Sequence, residues 1–439
     1  MTKPPPLELF APDLRGREAA VTPMKNTLHE PFTLEPAGRQ QAIEPALCDG
    51  VVWFGNVDWW YHNRGHASLR MATRLAKRVP TVWINSIGMR MPVPGKTELA
   101  WRRYRRKLGS MAQGLKRDPA SGMWVYSPLF IPRYSPRMIE LNGLLLAAQV
   151  RWVRRRLGMR RPSACASMPT MTPAVERLSW TKVVFDRCDD FTTLPESQGT
   201  NIADLERRLL ARCDVAAYVS RALLEREQGV AADARFLGHG VDFAQLTSAR
   251  PLEGPRPPAP TALDGMTRPI VGFYGGMDDY RMDKELMIKI ARHIAPATML
   301  LIGPEQLDLS RVKAEPNVRH IPQLPPEQLA SYAAHFDVGI IPFLRNEFNR
   351  LCNPTKLKEY LALGYPIVAT SLPAYDPYAG LIATANTHEE FLIKLTDALA
   401  FEDPALARRR RAAVAGDDWD QVADRMAALL ACPKSAISI

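Results

Sequence analysis

Short apolar runs alternate with amphipathic stretches along this 439-residue chain, and the alternation stops once and then begins again. The apolar runs have the length of strands, and helical spacing fills the intervals, as in residues 67–78 and 204–212. Alternating strands and helices predict parallel sheets covered by helices on both faces. We therefore expect an α/β protein with two sheets in tandem and a cleft between them. The predicted strands are residues 50–55, 79–86, 123–127, 182–186 and 215–220 before the interruption, and 270–275, 298–303, 318–321, 337–343, 366–370 and 381–384 after it.

Prolines mark the boundaries of the two halves. Eight prolines lie within residues 1–48 and six within residues 251–269, and neither stretch has apolar periodicity. A linker with this much proline is semi-rigid. The predicted organisation is a poorly structured leader at 1–48, a first α/β domain at 49–250, a linker at 251–269, a second α/β domain at 270–416, and a closing helix with a tail at 417–439.

Composition excludes several classes of protein. No apolar run reaches the roughly 18 residues that a membrane-spanning helix needs. The first ten residues contain three prolines and no apolar core of a secretory signal. The six cysteines are scattered without a Cys-x-x-Cys pair, which is typical of reduced thiols and gives no metal signature. These features predict a cytoplasmic protein without a metal site.

Positive charge is concentrated in one part of the chain. Residues 51–165 contain 22 lysines and arginines and four acidic residues, a net charge of +18, whereas the whole chain carries +11. The remaining residues are therefore mildly acidic. A basic half of this kind indicates an anionic partner, which the charge alone leaves open between a membrane surface, a nucleic acid and a phosphorylated substrate. No Walker loop or RNA-binding aromatic motif is present, so no nucleic acid is expected.

Two arginine-rich stretches suggest which anionic partner is bound. Residues 101–117 hold seven basic and no acidic side chains, and their apolar side chains recur every three or four residues. If helical, this stretch has the pattern of a helix that lies in a membrane interface. A second basic cluster, at 151–161, follows the apolar run 144–150. We expect peripheral binding to an anionic membrane, on the inner face of the cell membrane; the alternative is a solvated basic surface with the stripe packed on the core.

Several segments, in the same order along the chain, resemble the donor-binding domain of glycosyltransferase family 4. They are VGFYGGMDDYRMDKELM, LLIGPEQ, EPNVRHIPQLPPEQLASYAAHFDVGIIPF and NPTKLKEYLALGYPIVAT, the last being the most specific. VVFDRCDDF and LGHGVDFAQL in the first half, and DDWDQVADRMAALL near the end, are similar to further family segments. The resemblance covers roughly residues 50–431. It implies the GT-B fold, in which two Rossmann-like domains face each other across a cleft and a C-terminal helix crosses back to the first domain.

The resemblance also implies which residues bind a sugar nucleotide. Glu359 would accept hydrogen bonds from the two ribose hydroxyls, since a carboxylate only accepts and can take two donors. Lys356 lies three residues earlier on the same helix face, where it would bind the diphosphate. Each has an ordinary alternative, as a solvated helix glutamate or a surface lysine. The remaining donor-binding candidates are Asn353 and Pro354 at the start of this helix, Gly275 and Gly276 after the first strand of the domain, and Arg281 in the following turn.

The first domain offers candidates for the reacting side of the cleft. Asp58, Arg64 and His66 follow the first strand, beside an aromatic trio at 59–61. The family's loop lies near the reacting sugar, so these three residues are the predicted catalytic partners of Lys356. The aromatic trio could equally fill the domain core. Asp189 and Asp190 follow the strand KVVFD and are predicted on the acceptor side, with a helix N-cap as the alternative.

One position departs from the family pattern. Many relatives carry a second glutamate eight residues before Glu359, but this chain has Leu351 there. Asn346, Glu347 or Asn349 could replace it, or this segment could be an ordinary polar loop.

The resemblance implies transfer of a sugar from a nucleoside-diphosphate sugar to a hydroxyl of a lipid-linked or surface-glycan acceptor. Family members are retaining and usually independent of metal, so no cofactor is expected beyond the co-substrate. A sugar-nucleotide epimerase of the same double fold, or a basic binding protein without activity, are the alternatives.

Overall fold

The computed structural model describes residues 47–61, 65–89, 105–194, 201–401 and 403–432. These residues belong to one compact unit. Within them the chain forms two separate sheets, one on each side of the proline-rich stretch 251–269. That stretch is irregular apart from a single helical turn, Thr261–Leu263. The predicted leader lies outside the described residues except for its last two positions.

The first sheet has eight strands in the order β3-β4-β2-β1-β5-β6-β7-β8. All neighbours are parallel except β3 and β4, which form an antiparallel pair at one edge. The central strands are buried over their whole length, as strands covered on both faces must be. The strands are β1 (Val51–Phe54), β2 (Thr81–Ile84), β3 (Leu115–Arg117), β4 (Trp124–Tyr126), β5 (Ser163–Ala166), β6 (Val183–Arg187), β7 (Val215–Tyr218) and β8 (Ala234–Phe236).

The second sheet has six parallel strands in the order β11-β10-β9-β12-β13-β14. Its first strand, β9, lies in the middle of the sheet. β10 and β11 are added on one side of it and β12 to β14 on the other, so the strand order reverses between β9 and β12. Ligands of open α/β sheets bind at the carboxyl ends of the strands beside such a reversal. The strands are β9 (Ile270–Tyr274), β10 (Thr298–Ile302), β11 (Val318–Ile321), β12 (Val338–Ile341), β13 (Ile367–Thr370) and β14 (Ala383–Ala385).

Helices cover both sheets, and none of those described is long and apolar enough to cross a membrane. They are α1 (Ala67–Leu75), α2 (Pro136–Arg156), α3 (Thr172–Glu176), α4 (Ile202–Arg212), α5 (Arg221–Arg226), α6 (Phe243–Ala249), α7 (Lys284–Ile294), α8 (Ser310–Lys313), α9 (Pro326–Ala333), α10 (Glu347–Leu351), α11 (Thr355–Leu363), α12 (His388–Ala400), α13 (Pro404–Ala412) and α14 (Trp419–Leu429).

The last helix, α14, packs on the first sheet although it follows the second in the chain. Trp419, Val422 and Met426 are buried in the same apolar cluster as Val51 and Leu69. Polar contacts hold it in place, including an ion pair of 2.9 Å between Arg74 of α1 and Asp420. The predicted fold class, with two sheets and a closing helix that returns to the first, is therefore confirmed.

The predicted interfacial helix at 101–117 is wrong in its extent. Residues 101–104 lie outside the described residues, and a short helix at 105–111, additional to α1–α14, follows them. Leu115–Arg117 forms β3 instead, paired with β4. Met111 and Leu115 pack against the core of the first sheet, so the apolar stripe does not continue along one helix. Gly114, at φ +60°, allows the sharp change of direction between helix and strand.

Candidate functional site

Lys356 and Glu359 lie on one face of α11, close to where β9 ends. The helix begins directly after Pro354 and ends at Gly364, whose φ of +85° is the left-handed conformation that favours glycine there. The Lys356 ammonium lies 5.7 Å from the centre of the Phe273 ring. Burial, together with the charge of Arg281, lowers the pKa of Lys356 to about 8. The amine therefore sits in a confined cationic corner in which an anion would stabilise its charge.

Gly275 makes room for this lysine. It has a φ of +135°, and a Cβ atom built on it would overlap the end of the Lys356 side chain. Gly303, which follows β10, is required for a similar reason, because a Cβ there would strike the carbonyl of Gly275. Gly276 is not constrained in this way, since its Cβ would meet only Asp278, at 3.4 Å. Of the predicted glycine pair, the structure gives a steric reason for Gly275, and it adds Gly303, which sequence reasoning missed.

Glu359 is half-buried and interacts with groups from both halves of the chain. The buried Tyr274 phenol hydrogen-bonds to it, and burial together with the glutamate charge raises the pKa of Tyr274 well above its usual range. On the other side, burial lowers the pKa of Arg70 in α1, an effect that Glu359 opposes by its charge. Arg70 also pairs with Asp242. The sequence analysis missed Arg70, because an arginine within an ordinary helix carries no motif.

Arg281 is held between two aromatic rings, with its charge close to Lys356. Its guanidinium carbon lies 4.9 Å from the centre of the Phe348 ring and 5.8 Å from that of Phe343. Burial works against ionisation, but interactions with Cys352 and Asp189 nevertheless raise the pKa of Arg281. Its Nε has no hydrogen-bond partner among the described residues, although the Asp278 carboxylate lies 3.9 Å away as a long ion pair. A confined guanidinium with an unused donor is suited to binding an oxyanion.

Asp189 and Asp190 have different surroundings, although both follow β6. Asp189 accepts a 3.7 Å contact from the Cys352 thiol of the second half, and burial raises the pKa of Asp189. Asp190 accepts a 3.0 Å hydrogen bond from the Thr192 amide at the start of a helical turn, and it pairs with Arg226 at 2.7 Å. The structure thus places Asp189 between the halves and favours the alternative N-cap interpretation for Asp190.

The loop after β1 is largely held by its own domain. Asp58 is buried and pairs with Lys107 at 3.2 Å. Trp59 is buried in the core, and the Trp60 indole donates a 3.0 Å hydrogen bond to Ser127, so the core interpretation describes these two rings. Arg64 lies outside the described residues.

His66, the third predicted catalytic residue of this loop, lies directly before α1 and is partly buried. Burial and the charge of Lys358 lower the pKa of His239, and an electrostatic interaction with His66 adds to this effect. The catalytic roles of Asp58, Arg64 and His66 stay predictions.

The start of α11 also connects the two halves. The side-chain amide of Asn353 donates a 2.7 Å hydrogen bond to the Val219 carbonyl after β7, so this amide already has a partner in the first half. Lys358, which points away from Lys356, donates a 2.7 Å hydrogen bond to the His239 carbonyl and pairs with Asp417 at 2.8 Å. These bonds hold the carboxyl ends of the first sheet against α11.

The residues proposed to replace the missing glutamate support local structure. Asn346 caps α10 by accepting a 2.9 Å bond from the Asn349 amide. The Asn349 side chain donates to the Arg281 carbonyl at 3.0 Å, which fixes the turn that carries Arg281. Glu347 is exposed and pairs with Arg350. None of the three side chains is directed by these contacts toward Lys356.

A buried acid that sequence reasoning missed lies beneath the first-domain loop. Asp186 of β6 accepts hydrogen bonds from Ser68 at 2.8 Å and Ser167 at 2.7 Å. Burial raises the pKa of Asp186 to about 6. Its other oxygen has no partner among the described residues. This network joins the ends of β5 and β6 to the first turn of α1. Elsewhere, the described residues contain no group of three potential metal-ligating side chains.

Two facing parallel sheets, a closing helix on the first, and a cationic corner at the carboxyl ends of the second define the GT-B class of fold. Residues 268–403 match the family model described as glycosyl transferases group 1. The resemblance to glycosyltransferases inferred from the sequence is therefore confirmed, and the matched region contains Gly275, Arg281, Lys356 and Glu359.

The chain is also similar to individual proteins. It is 24% identical over 215 residues to a Bacillus subtilis (strain 168) protein that carries the name teichuronic acid biosynthesis glycosyltransferase TuaH. That alignment covers 45% of this chain and 52% of the relative, about half the length of each.

Solved structures match over a larger part of the chain. A sucrose-phosphate synthase from Thermosynechococcus elongatus has a TM-score of 0.63 at 14% identity, over 87% of this chain and 98% of that one. An Escherichia coli trehalose-6-phosphate protein bound with UDP-2-fluoro glucose has a TM-score of 0.60 at 12% identity, over 88% and 99%. At such identities these likenesses establish the fold alone.

Proposed function

We propose that this protein is a glycosyltransferase of the hexosyltransferase type. It takes a sugar from a nucleoside-diphosphate sugar and passes it to a hydroxyl of a lipid-linked or surface-glycan acceptor. The observation that carries the proposal is the arrangement of Lys356, Arg281 and Glu359 around Gly275, where β9 ends. Two confined cations beside a carboxylate match the two features of a sugar nucleotide, its diphosphate and its ribose.

The donor would be held by charge and by backbone shape. Glu359 accepts from the ribose hydroxyls, and Lys356 and Arg281 neutralise the diphosphate. Gly275 allows close approach, and the turn at Asn353 and Pro354 places the amides of α11 toward the phosphates. Because negative charge grows on the leaving diphosphate in the transition state, preorganised cations there lower the barrier. Lys356 therefore has a catalytic as well as a binding role.

The first domain would supply the reacting side. Asp58, Arg64 and His66 follow β1 and are proposed to contact the transferred sugar or the acceptor. Asp189 is proposed to bind an acceptor hydroxyl, since its contact with Cys352 places it between the halves. We propose retention of configuration and independence of metal from the family resemblance.

The acceptor is proposed to belong to a surface glycan. The named Bacillus relative, whose name refers to teichuronic acid biosynthesis, supports this choice, as does the basic charge of residues 51–165. We propose that the protein works in the cytoplasm, at the inner face of the cell membrane, where a lipid-linked acceptor would be presented.

A screen of sugar nucleotides by thermal shift tests the donor assignment. A ligand at 100 times its Kd stabilises the folded state by about 2.7 kcal/mol, so one UDP-, GDP- or other nucleotide sugar should raise the melting temperature. The variant Glu359→Ala should lose most of that shift, whereas Glu389→Ala, an exposed glutamate of the same domain, should keep it. If no sugar nucleotide stabilises the wild-type protein, the proposed function is wrong.

A further inference from the structure

The outward face of α2 is unusual for a surface helix. The most exposed residues of this 21-residue helix are apolar or arginines, and its one acid, Glu140, is paired with Arg177 and Arg208. Leu144 is 54% and Trp152 is 52% exposed, with Leu141 and Leu145 beside them. These four positions recur at helical spacing and lie on one side. A solvated helix face normally carries acidic and amide side chains as well, so this composition indicates a surface that meets something other than water.

A neighbouring loop extends this apolar face. Gln149 of α2 accepts a hydrogen bond from the Leu129 amide and donates one to the Leu129 carbonyl, both at 2.8 Å. Asn142 makes the same pair of bonds with Ile131, also at 2.8 Å. The two amide side chains thus fix the loop along the helix, and both Leu129 and Ile131 are exposed. We call Leu129, Ile131, Leu141, Leu144, Leu145 and Trp152 the apolar ridge.

An arginine-lined pocket lies at the C-terminal end of the same helix. It has a volume of about 280 Å³, and its polar lining comes from Arg151, Arg154, Arg155, Arg177 and Ser179, without a carboxylate. Arg177 pairs with Glu140. The other three arginines make no ion pair with any described residue, and Asp49 acts on Arg154 only by its charge from beyond ion-pair distance, so the pocket keeps a net positive charge.

Side-chain contacts hold this pocket in shape. Arg151 donates a 2.8 Å hydrogen bond to the Arg177 carbonyl, and Arg154 donates one of 3.0 Å to the Ser179 carbonyl. The Arg154 guanidinium also lies 5.0 Å from the centre of the Trp180 ring. Burial lowers the pKa of Arg154, an effect that the charge of Asp49 opposes and that of Arg151 strengthens. Fixed, unneutralised guanidinium groups are suited to phosphate oxygens.

We propose that α2 lies on an anionic lipid bilayer, with the apolar ridge in the headgroup region and the arginine pocket on lipid phosphates. The combination decides the occupant: leucines and a tryptophan along the face, arginines at both ends, and a single acid, Glu140, whose charge is already paired with Arg177 and Arg208. The inference deepens the proposed function, because it names the surface on which the acceptor would be met. It also replaces residues 101–117 with α2 as the main membrane contact.

Binding to lipid vesicles tests the proposal without donor or acceptor. The wild-type protein should sediment with vesicles of phosphatidylglycerol and phosphatidylcholine in equal parts, and should leave vesicles of phosphatidylcholine alone. Each basic residue at an anionic surface strengthens binding about five-fold. Arg151→Gln with Arg155→Gln should therefore weaken binding on the order of thirty-fold. Arg207→Gln with Arg408→Gln removes the same charge from exposed sites elsewhere and should have little effect.

The apolar part is tested at high salt, where the screening length falls from about 10 Å at 0.1 M to about 3 Å at 1 M. Binding that remains there should fall on the order of ten-fold in Leu144→Gln with Leu145→Gln, since the ridge buries apolar surface. Ile393→Gln with Phe401→Gln, two exposed apolar residues of the second half, serves as the matched control.

Four outcomes would overturn the proposal. The first is that the wild-type protein does not bind anionic vesicles at low salt. The second and third are that vesicle binding falls equally in the arginine variant and its control, or equally in the ridge variant and its control. The fourth is that a protein partner protects the apolar ridge while vesicles do not. Donor binding, measured by calorimetry on the same variants, separates this result from the proposed function. Vesicle binding without donor binding would contradict only the proposed glycosyltransferase function. Donor binding without vesicle binding would contradict only the proposed membrane contact of α2.

Discussion

Replacement of Gly275 by alanine tests how the donor site is built. The residue has a φ of +135°, and an added Cβ would overlap the end of the Lys356 side chain. An alanine in such a backbone conformation costs about 1–3 kcal/mol of stability. In addition, Lys356 would have to leave its position against the Phe273 ring. Gly276→Ala is the matched control, because the new methyl group would meet only Asp278, at an ordinary distance of 3.4 Å.

The expected loss of donor affinity follows from the displaced lysine. A hydrogen bond to a charged group is worth about 1.5–3 kcal/mol, and about 1.4 kcal/mol corresponds to a factor of ten in affinity. Gly275→Ala should therefore weaken binding of the nucleotide sugar about 10- to 150-fold, whereas Gly276→Ala should stay close to wild type. Titration calorimetry measures the affinity, and thermal unfolding followed by circular dichroism measures the backbone strain.

A double-mutant cycle decides whether Gly275 acts through Lys356. In a Lys356→Ala background the lysine contact is already lost, so Gly275→Ala should reduce the affinity little further. Full additivity of the two losses would refute the reasoning. So would a Gly275→Ala protein that binds the donor as tightly as Gly276→Ala does.

Glu359→Ala should weaken donor binding about ten-fold or more while far-ultraviolet circular dichroism stays unchanged, because two ribose hydroxyls lose their acceptor; unchanged binding in calorimetry would remove Glu359 from the site. Lys356→Ala should lower kcat by a larger factor than it raises the donor KM, since charge on the leaving phosphate grows in the transition state. A change in KM alone would limit Lys356 to a role in ground-state binding. Because the pKa of Lys356 is about 8, wild-type donor affinity should be steady below that pH and fall as the pH rises through it, and a slope that persists in Lys356→Ala would assign the effect to another group. The pKa of Asp186 is raised from 3.8 to about 6, so its contribution to stability is fully present below pH 3.8 and is lost as the pH rises through 6. Asp186→Asn should remove this pH dependence of the unfolding free energy, which amounts to about 3 kcal/mol in total. Identical pH profiles of the unfolding free energy for wild type and variant would contradict the assignment.

The arrangement of strands and helices could be predicted because its signals are local. Buried parallel strands are continuous apolar runs, and the helices between them are amphipathic, so each element is visible in a short window of sequence. Three strands of the first sheet were missed. β3 and β8 are three-residue edge strands with mostly exposed side chains and no apolar run. β5 is central and buried, but Ser163–Ala166 consists of small side chains and gives no run of large apolar residues.

The donor half of the site was also predictable, since its residues belong to one short motif and one strand end. Lys356 and Glu359 lie three residues apart on one helix, and Gly275 follows an apolar strand. The steric link between Gly275 and Lys356 could not be foreseen, because the two residues are far apart in the sequence and meet only when α11 packs beside β9.

The sequence by itself determined the two-sheet architecture, the proline-rich interruption and the residues of the donor motif, because backbone preference and apolar periodicity act over a few residues. Tertiary structure alone decided which groups face each other across the halves. Asp189 contacts Cys352, 163 positions away, and Arg70 of α1, in the first half, acts by its charge on Glu359 of the second half. It also decided which side of an apolar run is buried. Within residues 144–150, Leu146 and Val150 lie in the core while Leu144 and Leu145 are exposed. The side of a helix that meets water depends on where the sheet lies, and the apolar periodicity of the sequence does not specify the location of the sheet.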